Sequence, residues 1–329
     1  MDGAGLRGSP SSVGAVVVIW RDVTGAATGS RSAPSAVAIG TFDGVHRGHQ
    51  QVLARASETG LPVVAVTFDP HPTVIFAPQH EPKRLTTLER RVELLRAHGA
   101  AEVRVLAFDH EMASWSPQEF VRRALVDGLS AASVVVGENF RFGSHAAGDV
   151  AALTAFGAEY GFTVDGLGLA GPDEPWSSTR VRALVAEGQV RQAAEVLGRP
   201  HEVVGEVIRG EQRGRELGYP TANTPIDDSS AVPPDGVYAG RVVRASGETL
   251  PAAISIGTNP TFGEHSRRVE SYVLDRPFGS GQDLNLYGEV IRVEFVEHLR
   301  PMVAFDGIDA LLAQMADDVA ATRRLLGAS

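Results

Sequence analysis

Cysteine is absent from the 329 residues, and lysine occurs once, at Lys83. The lack of cysteine excludes disulfides, thiol nucleophiles, iron–sulfur clusters and zinc sites with Cys ligands. It fits a cytoplasmic protein, which is the location we expect. Because the single lysine lies in the polar stretch QHEPKR, we expect neither a Schiff-base mechanism nor a Walker-type phosphate loop.

Long apolar runs and excess positive charge are also missing. No run reaches the ~20 apolar residues that cross a bilayer, so no membrane association is expected. The formal net charge of −10 argues against nucleic-acid binding, because such proteins carry basic surfaces. Residues 1–15 are rich in Gly and Ser and are expected to form a flexible extension. With Arg7 as their only basic residue, they do not fit a secretory signal.

Residues 16–200 alternate Val-rich runs with helical patterns. Several of the runs are apolar on both faces, which is typical of strands buried in a parallel sheet. They are SAVAIG (35–40), PVVAVTF (62–68), EVRVLAF (102–108), SVVVG (133–137) and FTVDGL (162–167). Capping-box spacing at Thr86–Glu89 and at Ser116–Glu119 predicts the starts of two of the helices that lie between these strands. The pattern predicts a doubly wound, Rossmann-like α/β domain that binds ligands at the carboxyl ends of its strands.

The pattern changes at Arg199-Pro200, where we place a domain boundary. Residues 201–329 contain closely spaced β-type segments separated by turn signals, which predicts a small antiparallel β-barrel. The segments are HEVVGEVIRG, GVYAGRVVRA, LPAAISIG, RVESYVLD and EVIRVEFVEHL. A terminal helix is expected over 306–326, with Leu311, Met315 and Val319 on one face.

The stretch GTFDGVHRGHQ (40–50) links the first buried strand to a helical pattern. His46 and His49 are three residues apart, so on a helical turn they project from the same face. Free N–H groups at a helix start favour an anion, and glycines let the backbone approach it. The glycines are Gly40, Gly44 and Gly48. This pattern predicts a phosphate site with two donors; a polar helix cap is the alternative, and a zinc site lacks a third ligand.

A second anion-binding pattern is WSSTRVRALVAEG (176–188). Hydroxyls and an arginine at a helix start suit a phosphate, although an ordinary Ser/Thr cap has the same composition. Both patterns follow predicted strands, so both should lie at the carboxyl edge of one sheet. Two anion sites at that edge predict a polyphosphate ligand.

GTFDGVHRGH, TFDPHP, GENFRFG and SSTRVR together resemble the FMN adenylyltransferase module of bacterial FAD synthetases, in the HxGH nucleotidyltransferase superfamily. The resemblance implies that His46 and His49 stabilise the α-phosphate of ATP during attack. It also implies an ATP site formed by Gly40, Phe42, Asp43, Gly44, Gly48, Ser178, Thr179, Arg180 and Arg182. The flavin substrate would contact Asp69, Asn139 and Phe140; many members carry Asp at the position of Asn139.

The stretch GEQRGRELGYPTANT (210–224) is a second glycine-rich motif. Its glycines permit a tight loop that wraps phosphates, although a glycine-rich hairpin would explain them as well. Thr221 and Asn223 occupy alternate positions of an extended segment, so both can face one magnesium ion.

PDGVYAG (234–240), SIGTNPTF (255–262) and VESYVLD (269–275) complete a resemblance to the riboflavin kinase module. The resemblance implies that Thr221 and Asn223 bind Mg²⁺ with ATP and that Glu270 takes the proton of the 5′-hydroxyl of riboflavin. Phosphate contacts would come from Gly210, Gly214, Arg215 and Gly218. Without the motif, Glu270 would be interpreted as a strand-surface residue.

Together the two resemblances cover about residues 16–326 and imply a bifunctional enzyme. It would convert riboflavin and ATP to FMN, and FMN and ATP to FAD and pyrophosphate. Two alternatives remain: a riboflavin kinase with an inactive adenylyltransferase half, and a non-catalytic regulator that binds flavin or nucleotide. The intact histidines oppose the first and Glu270 opposes the second. The sequence predicts no oligomeric state.

Overall fold

The computed structural model describes residues 19–20, 33–168, 171, 174–210, 213–258, 267–275 and 284–327. The predicted N-terminal extension, 1–15, lies outside them. The described residues fall into two compact units. The first unit contains the described residues of Met1–Phe42, His49–His80 and Leu88–Gly168. The second unit contains the described residues of Asp43–Gly48, Glu81–Thr87 and Leu169–Ser329.

The first unit is built on a parallel sheet with six strands among the described residues. They are β1 (Ile19–Trp20), β2 (Ser35–Ile39), β3 (Val63–Asp69), β4 (Glu102–Ala107), β5 (Ala131–Gly137) and β6 (Thr163–Leu167). Their order is β1-β4-β3-β2-β5-β6, so the chain reverses direction across the sheet between β2 and β5. Ligands of such sheets bind at this reversal. The predicted doubly wound α/β fold is confirmed.

Helices cover this sheet, and their starts follow local sequence signals in part. They are α1 (Arg47–Ser57), α2 (Pro72–Phe76), α3 (Leu88–Ala97), α4 (His110–Ser114), α5 (Pro117–Phe120) and α6 (Val150–Tyr160). Helix α5 continues as a π-helix, Val121–Asp127. The predicted capping box at its start is confirmed, because Ser116 and Glu119 exchange side-chain and backbone hydrogen bonds of 3.1 Å. Leu106, Phe120, Leu125 and Leu153 are among the buried core residues.

The second unit contains an antiparallel barrel of six strands among its described residues. They are β7 (His201–Glu206), β8 (Ala222–Pro225), β9 (Gly236–Val243), β10 (Thr249–Thr258), β11 (Arg267–Val273) and β12 (Val290–Pro301). Their order is β7-β12-β9-β10-β11-β8, and a bridge between Ile208 and Asn223 nearly closes the barrel. Val269, Ser271 and Val273 alternate into its interior. The predicted barrel is confirmed.

Four helices complete the described part of the second unit: α7 (Ser178–Ala186), α8 (Val190–Leu197), α9 (Arg213–Glu216) and α10 (Ile308–Leu326). Helix α10 matches the predicted terminal helix, but its most buried residues are polar. They are Asp318 and Thr322 rather than the predicted apolar positions, which are only partly buried. Asp318 is buried because its carboxylate accepts a hydrogen bond of 2.7 Å from Arg300, a residue of β12.

Candidate functional sites

The loop after β2 has an unusual backbone. Phe42, Gly44 and Val45 have φ angles of 50°, 82° and 41°, which lie in the left-handed region. Non-glycine residues rarely adopt this region, so the surrounding structure must hold the loop in place. The loop leads to His46, which directly precedes α1, and to His49 in the first turn of that helix.

Asp43 belongs to the part of this loop that lies in the second unit, and its carboxylate accepts several hydrogen bonds there. Its residue is 2% exposed, and its carboxylate accepts hydrogen bonds of 3.1 Å from the N–H groups of Leu85 and Thr86. Arg182 adds a third donor, with Nη2 at 2.6 Å from Oδ2. Asp43 is therefore bonded to protein donors from two other segments.

Thr86 does not have its predicted capping role. Helix α3 begins at Leu88, which puts Thr87 rather than Thr86 before the first helical residue. The Thr86 hydroxyl instead donates to Asp43 at 3.2 Å and accepts the N–H of Gly44 at 3.3 Å. This long-range partner explains why the capping-box spacing with Glu89 was misleading.

The predicted phosphate segment at α7 contacts the histidine loop within the second unit. The Ser178 hydroxyl donates to the carbonyl oxygen of Asp43 at 2.7 Å. Ser177 is the N-cap of the helix, because its hydroxyl accepts the N–H of Arg180 at 3.1 Å. Thr179 is exposed in the first turn. The two anion-binding patterns of the sequence therefore meet.

The two arginines of this segment have different partners. Arg182 donates to Asp43 and, through Nε, to the carbonyl oxygen of Lys83 at 2.7 Å. Arg180 has Nε at 3.2 Å from a carboxylate oxygen of Glu174, whose side chain is 68% exposed. Exposed ion pairs exchange readily with other anions, so Arg180 is the arginine that can turn toward a phosphate.

His46 is 2% exposed, and this burial lowers its pKa to about 4. The carboxylate of Asp43 raises the pKa, while the cations Arg182 and Arg199 lower it further. The imidazole is therefore neutral at pH 7 and has one N–H to donate. Arg199 was not predicted as a site residue; its Nη1 donates to the carbonyl oxygen of Gly44 at 2.8 Å.

His49 contacts Phe42 within the first unit. The two ring centroids are 5.1 Å apart, with the rings nearly perpendicular at 74°. Phe42 is 1% exposed, so its ring is a fixed surface beside the imidazole. A Cβ on Gly40 would approach this ring to 3.4 Å.

The predicted flavin contacts lie at the carboxyl edge of the parallel sheet. Asp69 ends β3, and Asn139 and Phe140 follow β5. Asn139 is exposed, and the Phe140 ring stacks on Phe142 at 5.6 Å and 13°. Because all the strands are parallel, these residues share an edge with the end of β2.

Aromatic residues that the sequence did not indicate lie at the same edge. The ring centroid of Phe108 is 5.8 Å from that of Phe68 and 5.7 Å from that of Phe76. Phe76 is 58% exposed, which is unusual for a large apolar side chain. A planar aromatic ligand can stack on such a surface.

The predicted kinase residues meet on the barrel. Glu270 of β11 lies directly opposite Asn223 of β8 in the strand register, with Ser255 of β10 on its other side. Opposed residues of neighbouring antiparallel strands project from the same face, with Cβ atoms roughly 5 Å apart. Asn223 is 8% exposed, and its Nδ2 donates to the carbonyl oxygen of Thr221 at 3.2 Å. The structure brings Thr221, Asn223 and Glu270 together.

Gly210 and Gly214, two of the glycines before β8, have little room for a side chain. A Cβ on Gly210 would lie 2.7 Å from the amide of Asn223, and one on Gly214 would lie 2.4 Å from the carbonyl oxygen of Tyr219. The N–H of Tyr219 donates to the Gly214 carbonyl oxygen at 2.7 Å, which closes the turn. Gly218 has a φ of 84°. The side chain of Arg215 is outside the described part of the chain.

Metal binding has a limited set of candidate residues. In the part of the chain that the structure describes, no three His, Asp or Glu side chains form a cluster that could hold a metal ion. Mg²⁺ commonly takes one or two protein oxygens and completes its shell with phosphates and water. Thr221 and Asn223 can supply such oxygens.

No helix in the described segments has both the length and the apolar character to cross a membrane.

Gly44 offers a test of how tightly the histidine loop is packed. In Gly44→Ala, the Cβ would meet Leu85 at 2.9 Å at a φ of 82°. We expect a loss of about 2–4 kcal/mol in the free energy of unfolding, from left-handed strain and overpacking together. Chemical denaturation measures it. Gly60→Ala is the matched control: φ is 72° with nothing within 4 Å, so it should lose only the strain component. Equal losses would contradict the packing argument.

A Rossmann-like sheet with a histidine loop, joined in one chain to a barrel with a glycine-rich loop, defines a two-part protein of the nucleotide-binding class. Residues 29–180 match the family model for FAD synthetase, and residues 197–326 match that for riboflavin kinase. The chain belongs to the bifunctional riboflavin kinase/FMN adenylyltransferase family.

Two relatives of that name illustrate the match. The protein from Escherichia coli K12 is 35% identical over 294 residues, covering 88% of this chain and 92% of its own. That from Pseudomonas fluorescens is 38% identical over 304 residues, covering 88% and 93%. A crystal structure named for a macrolide-efflux protein from Streptococcus pneumoniae has a TM-score of 0.81 at 30% identity, covering 90% of this chain and 96% of that one.

Proposed function

We propose that this chain makes FAD from riboflavin in two ATP-dependent steps. The barrel half, residues 201–329, converts riboflavin and ATP to FMN and ADP. The α/β half, residues 16–200, converts FMN and ATP to FAD and pyrophosphate. The observation that carries the proposal is the presence of both family matches, in order, in one chain with both candidate residue sets intact.

In the kinase step, Glu270 takes the proton of the riboflavin 5′-hydroxyl as that oxygen attacks the γ-phosphorus of ATP. ADP leaves, and FMN forms. Thr221 and Asn223 would hold Mg²⁺ at the ATP phosphates, where it would offset their negative charge. The loop containing Gly210, Gly214, Arg215 and Gly218 would enclose these phosphates. The opposed positions of Glu270 and Asn223 support this assignment, because base and metal ion must act on neighbouring atoms.

In the adenylyl transfer step, a phosphate oxygen of FMN attacks the α-phosphorus of ATP, and pyrophosphate leaves. The attacking oxygen is already anionic, so no base is required. His46 and His49 donate hydrogen bonds to the α-phosphate, where negative charge develops. Thr179, Arg180 and the start of α7 bind the other phosphates, and Asp69, Asn139 and Phe140 contact the flavin. The loop Gly40–Gly48 aligns the histidines.

Two other functions are weaker. A chain with only the kinase step would not need the histidine loop to be held in a strained conformation by buried hydrogen bonds. A regulator that binds flavin or nucleotide without chemistry would not need Glu270 opposite Asn223. The efflux name belongs to one similar structure, whereas both family models and the curated relatives above name flavin enzymes.

Incubation with riboflavin, ATP and Mg²⁺, followed by chromatography, tests the whole proposal. We expect FMN to appear first and FAD to follow from it. Removing Mg²⁺ with a chelator should stop both steps, and adding it back should restore them, because ATP phosphates react as their magnesium complex. FMN without FAD would support the kinase-only alternative. No product would overturn the proposal.

A further inference from the structure

We propose that Asp43 and Arg182 are positioning residues, whose buried ion pair holds His46 in place for adenylyl transfer without either side chain contacting ATP. The proposal deepens the function proposed above and rests on it. It also changes two assignments implied by the family resemblance, which placed both residues at the ATP phosphates.

The ion pair connects three segments of the second unit. Asp43 lies in the histidine loop, Arg182 lies in α7, and Lys83 lies between them in the segment Glu81–Thr87. Arg182 donates to the carboxylate of Asp43 at 2.6 Å and to the carbonyl oxygen of Lys83 at 2.7 Å. One guanidinium therefore fixes the distance between the loop and the other two segments.

Further hydrogen bonds fasten the loop on both sides of this ion pair. The Ser178 hydroxyl binds the Asp43 carbonyl oxygen at 2.7 Å, and Arg199 binds that of Gly44 at 2.8 Å. The N–H of Gly44 donates to Thr86 at 3.3 Å. These contacts lie three residues or fewer from His46. They hold a backbone that would otherwise relax from its positive φ angles.

Neither member of the pair is suited to bind ATP directly. The carboxylate of Asp43 already accepts hydrogen bonds from the N–H groups of Leu85 and Thr86 and from Arg182. The guanidinium of Arg182 also donates to the carbonyl oxygen of Lys83. A phosphate that drew Arg182 away would leave the Asp43 carboxylate buried without its cation, which is strongly unfavourable. Arg180, with its exposed partner Glu174, has no such constraint. The phosphate contact therefore falls to Arg180.

The pair also sets the charge around His46. The charged groups that act on this imidazole are Asp43, Arg182 and Arg199. With Arg182 in place, the charge of Asp43 is balanced, and burial keeps the imidazole neutral. Without Arg182, the carboxylate would favour the imidazolium, so the pKa of His46 would rise from about 4. Without the Asp43 charge, it would stay at or below that value.

Kinetics of Arg182→Met and Asp43→Asn test the positioning role. We expect kcat for FAD formation from FMN to fall on the order of 10²-fold in each, with a smaller change in KM for ATP, because a displaced donor impairs the reaction more than binding. The double variant should lose much less than the product of the single losses, since both act through one contact. Arg191→Met, which removes an exposed ion pair of α8 with Glu297, is the control and should match wild type.

Two measurements distinguish the positioning of His46 from a general loss of folded structure. Riboflavin phosphorylation by the same preparations should be unchanged, because it uses residues of the barrel. The imidazole titration of His46, followed by NMR, should move upward in Arg182→Met and not in Asp43→Asn. If a variant fails to fold, Thr86→Val removes one hydroxyl donor to Asp43 and should give a smaller kcat loss of the same kind.

Several outcomes would overturn the proposal. A raised KM for ATP with unchanged kcat in Arg182→Met would mean that this arginine binds ATP. Wild-type behaviour of Asp43→Asn would show that the pair is dispensable. Equal losses of both activities in a variant that folds normally by circular dichroism would show that the pair does not act on His46 specifically. If wild-type protein formed no FAD, the proposed function would fail, and a His46 pKa unaffected by Arg182→Met would separately refute the ion pair's role.

Discussion

His49→Ala is expected to abolish the conversion of FMN to FAD while riboflavin is phosphorylated at the wild-type rate. Removing one preorganised donor from a developing oxyanion typically lowers kcat on the order of 10²–10³-fold. The ring that His49 contacts, Phe42, belongs to the core and would remain in place. The loss should therefore be catalytic rather than structural. Separate assays with riboflavin and with FMN, each resolved by chromatography, measure it.

His98→Ala is the control for this substitution. His98 is an exposed histidine just after α3, remote in sequence from every proposed site residue, and both activities should survive its removal. Loss of both activities in His49→Ala, with normal folding by circular dichroism, would contradict the assignment of separate sites. Unchanged FAD formation would remove His49 from the mechanism.

Glu270→Gln should impair riboflavin phosphorylation and spare FAD formation, the reverse of the result expected for His49→Ala. We expect riboflavin phosphorylation to fall on the order of 10²–10⁴-fold, the usual contribution of a positioned general base. Glutamine has the same size and keeps the strand pairing with Asn223, but it cannot accept the hydroxyl proton. Supplied FMN should still be converted to FAD. Both activities are measured as initial rates, one of FMN formation from riboflavin and one of FAD formation from FMN.

A second glutamate of the barrel provides the comparison. Glu206 ends β7 and is exposed, so Glu206→Gln should leave both rates unchanged. If Glu270→Gln reduced phosphorylation less than tenfold, proton removal by this carboxylate would not be the mechanism. If it stopped adenylation of FMN as well, the division of labour between the halves would be wrong.

The fold was predictable because its signals are local. The Val-rich runs matched β2 to β6 within two residues at each end, and the capping box at Ser116 and Glu119 formed as expected. A buried parallel strand requires apolar residues on both faces, and this requirement is visible in any short window of sequence. The change of pattern near Arg199 likewise reflects the alternation that a barrel requires.

The contacts that hold the candidate site were not predictable because they join distant residues. Asp43 and Arg182 are separated by 139 positions, and each has an ordinary local explanation, in a turn and on a helix face. In the sequence Thr86 is consistent with a helix cap, and only the fold shows that its hydroxyl donates to Asp43 instead. Asp318 interrupts an apolar helix face for the same reason, since only the fold brings Arg300 to it. No periodicity encodes such pairs.

The pairing of Glu270 with Asn223 has an evolutionary consequence. Strand residues alternate between faces, so deleting one residue of β11 before Glu270 would shift the register and move Glu270 toward the barrel interior. Ser271 would then take the outward position opposite Asn223. Point substitutions can adjust this strand gradually, but single-residue insertions and deletions cannot. Among descendants of this gene, length changes in β11 should survive only in pairs or where riboflavin phosphorylation is no longer required.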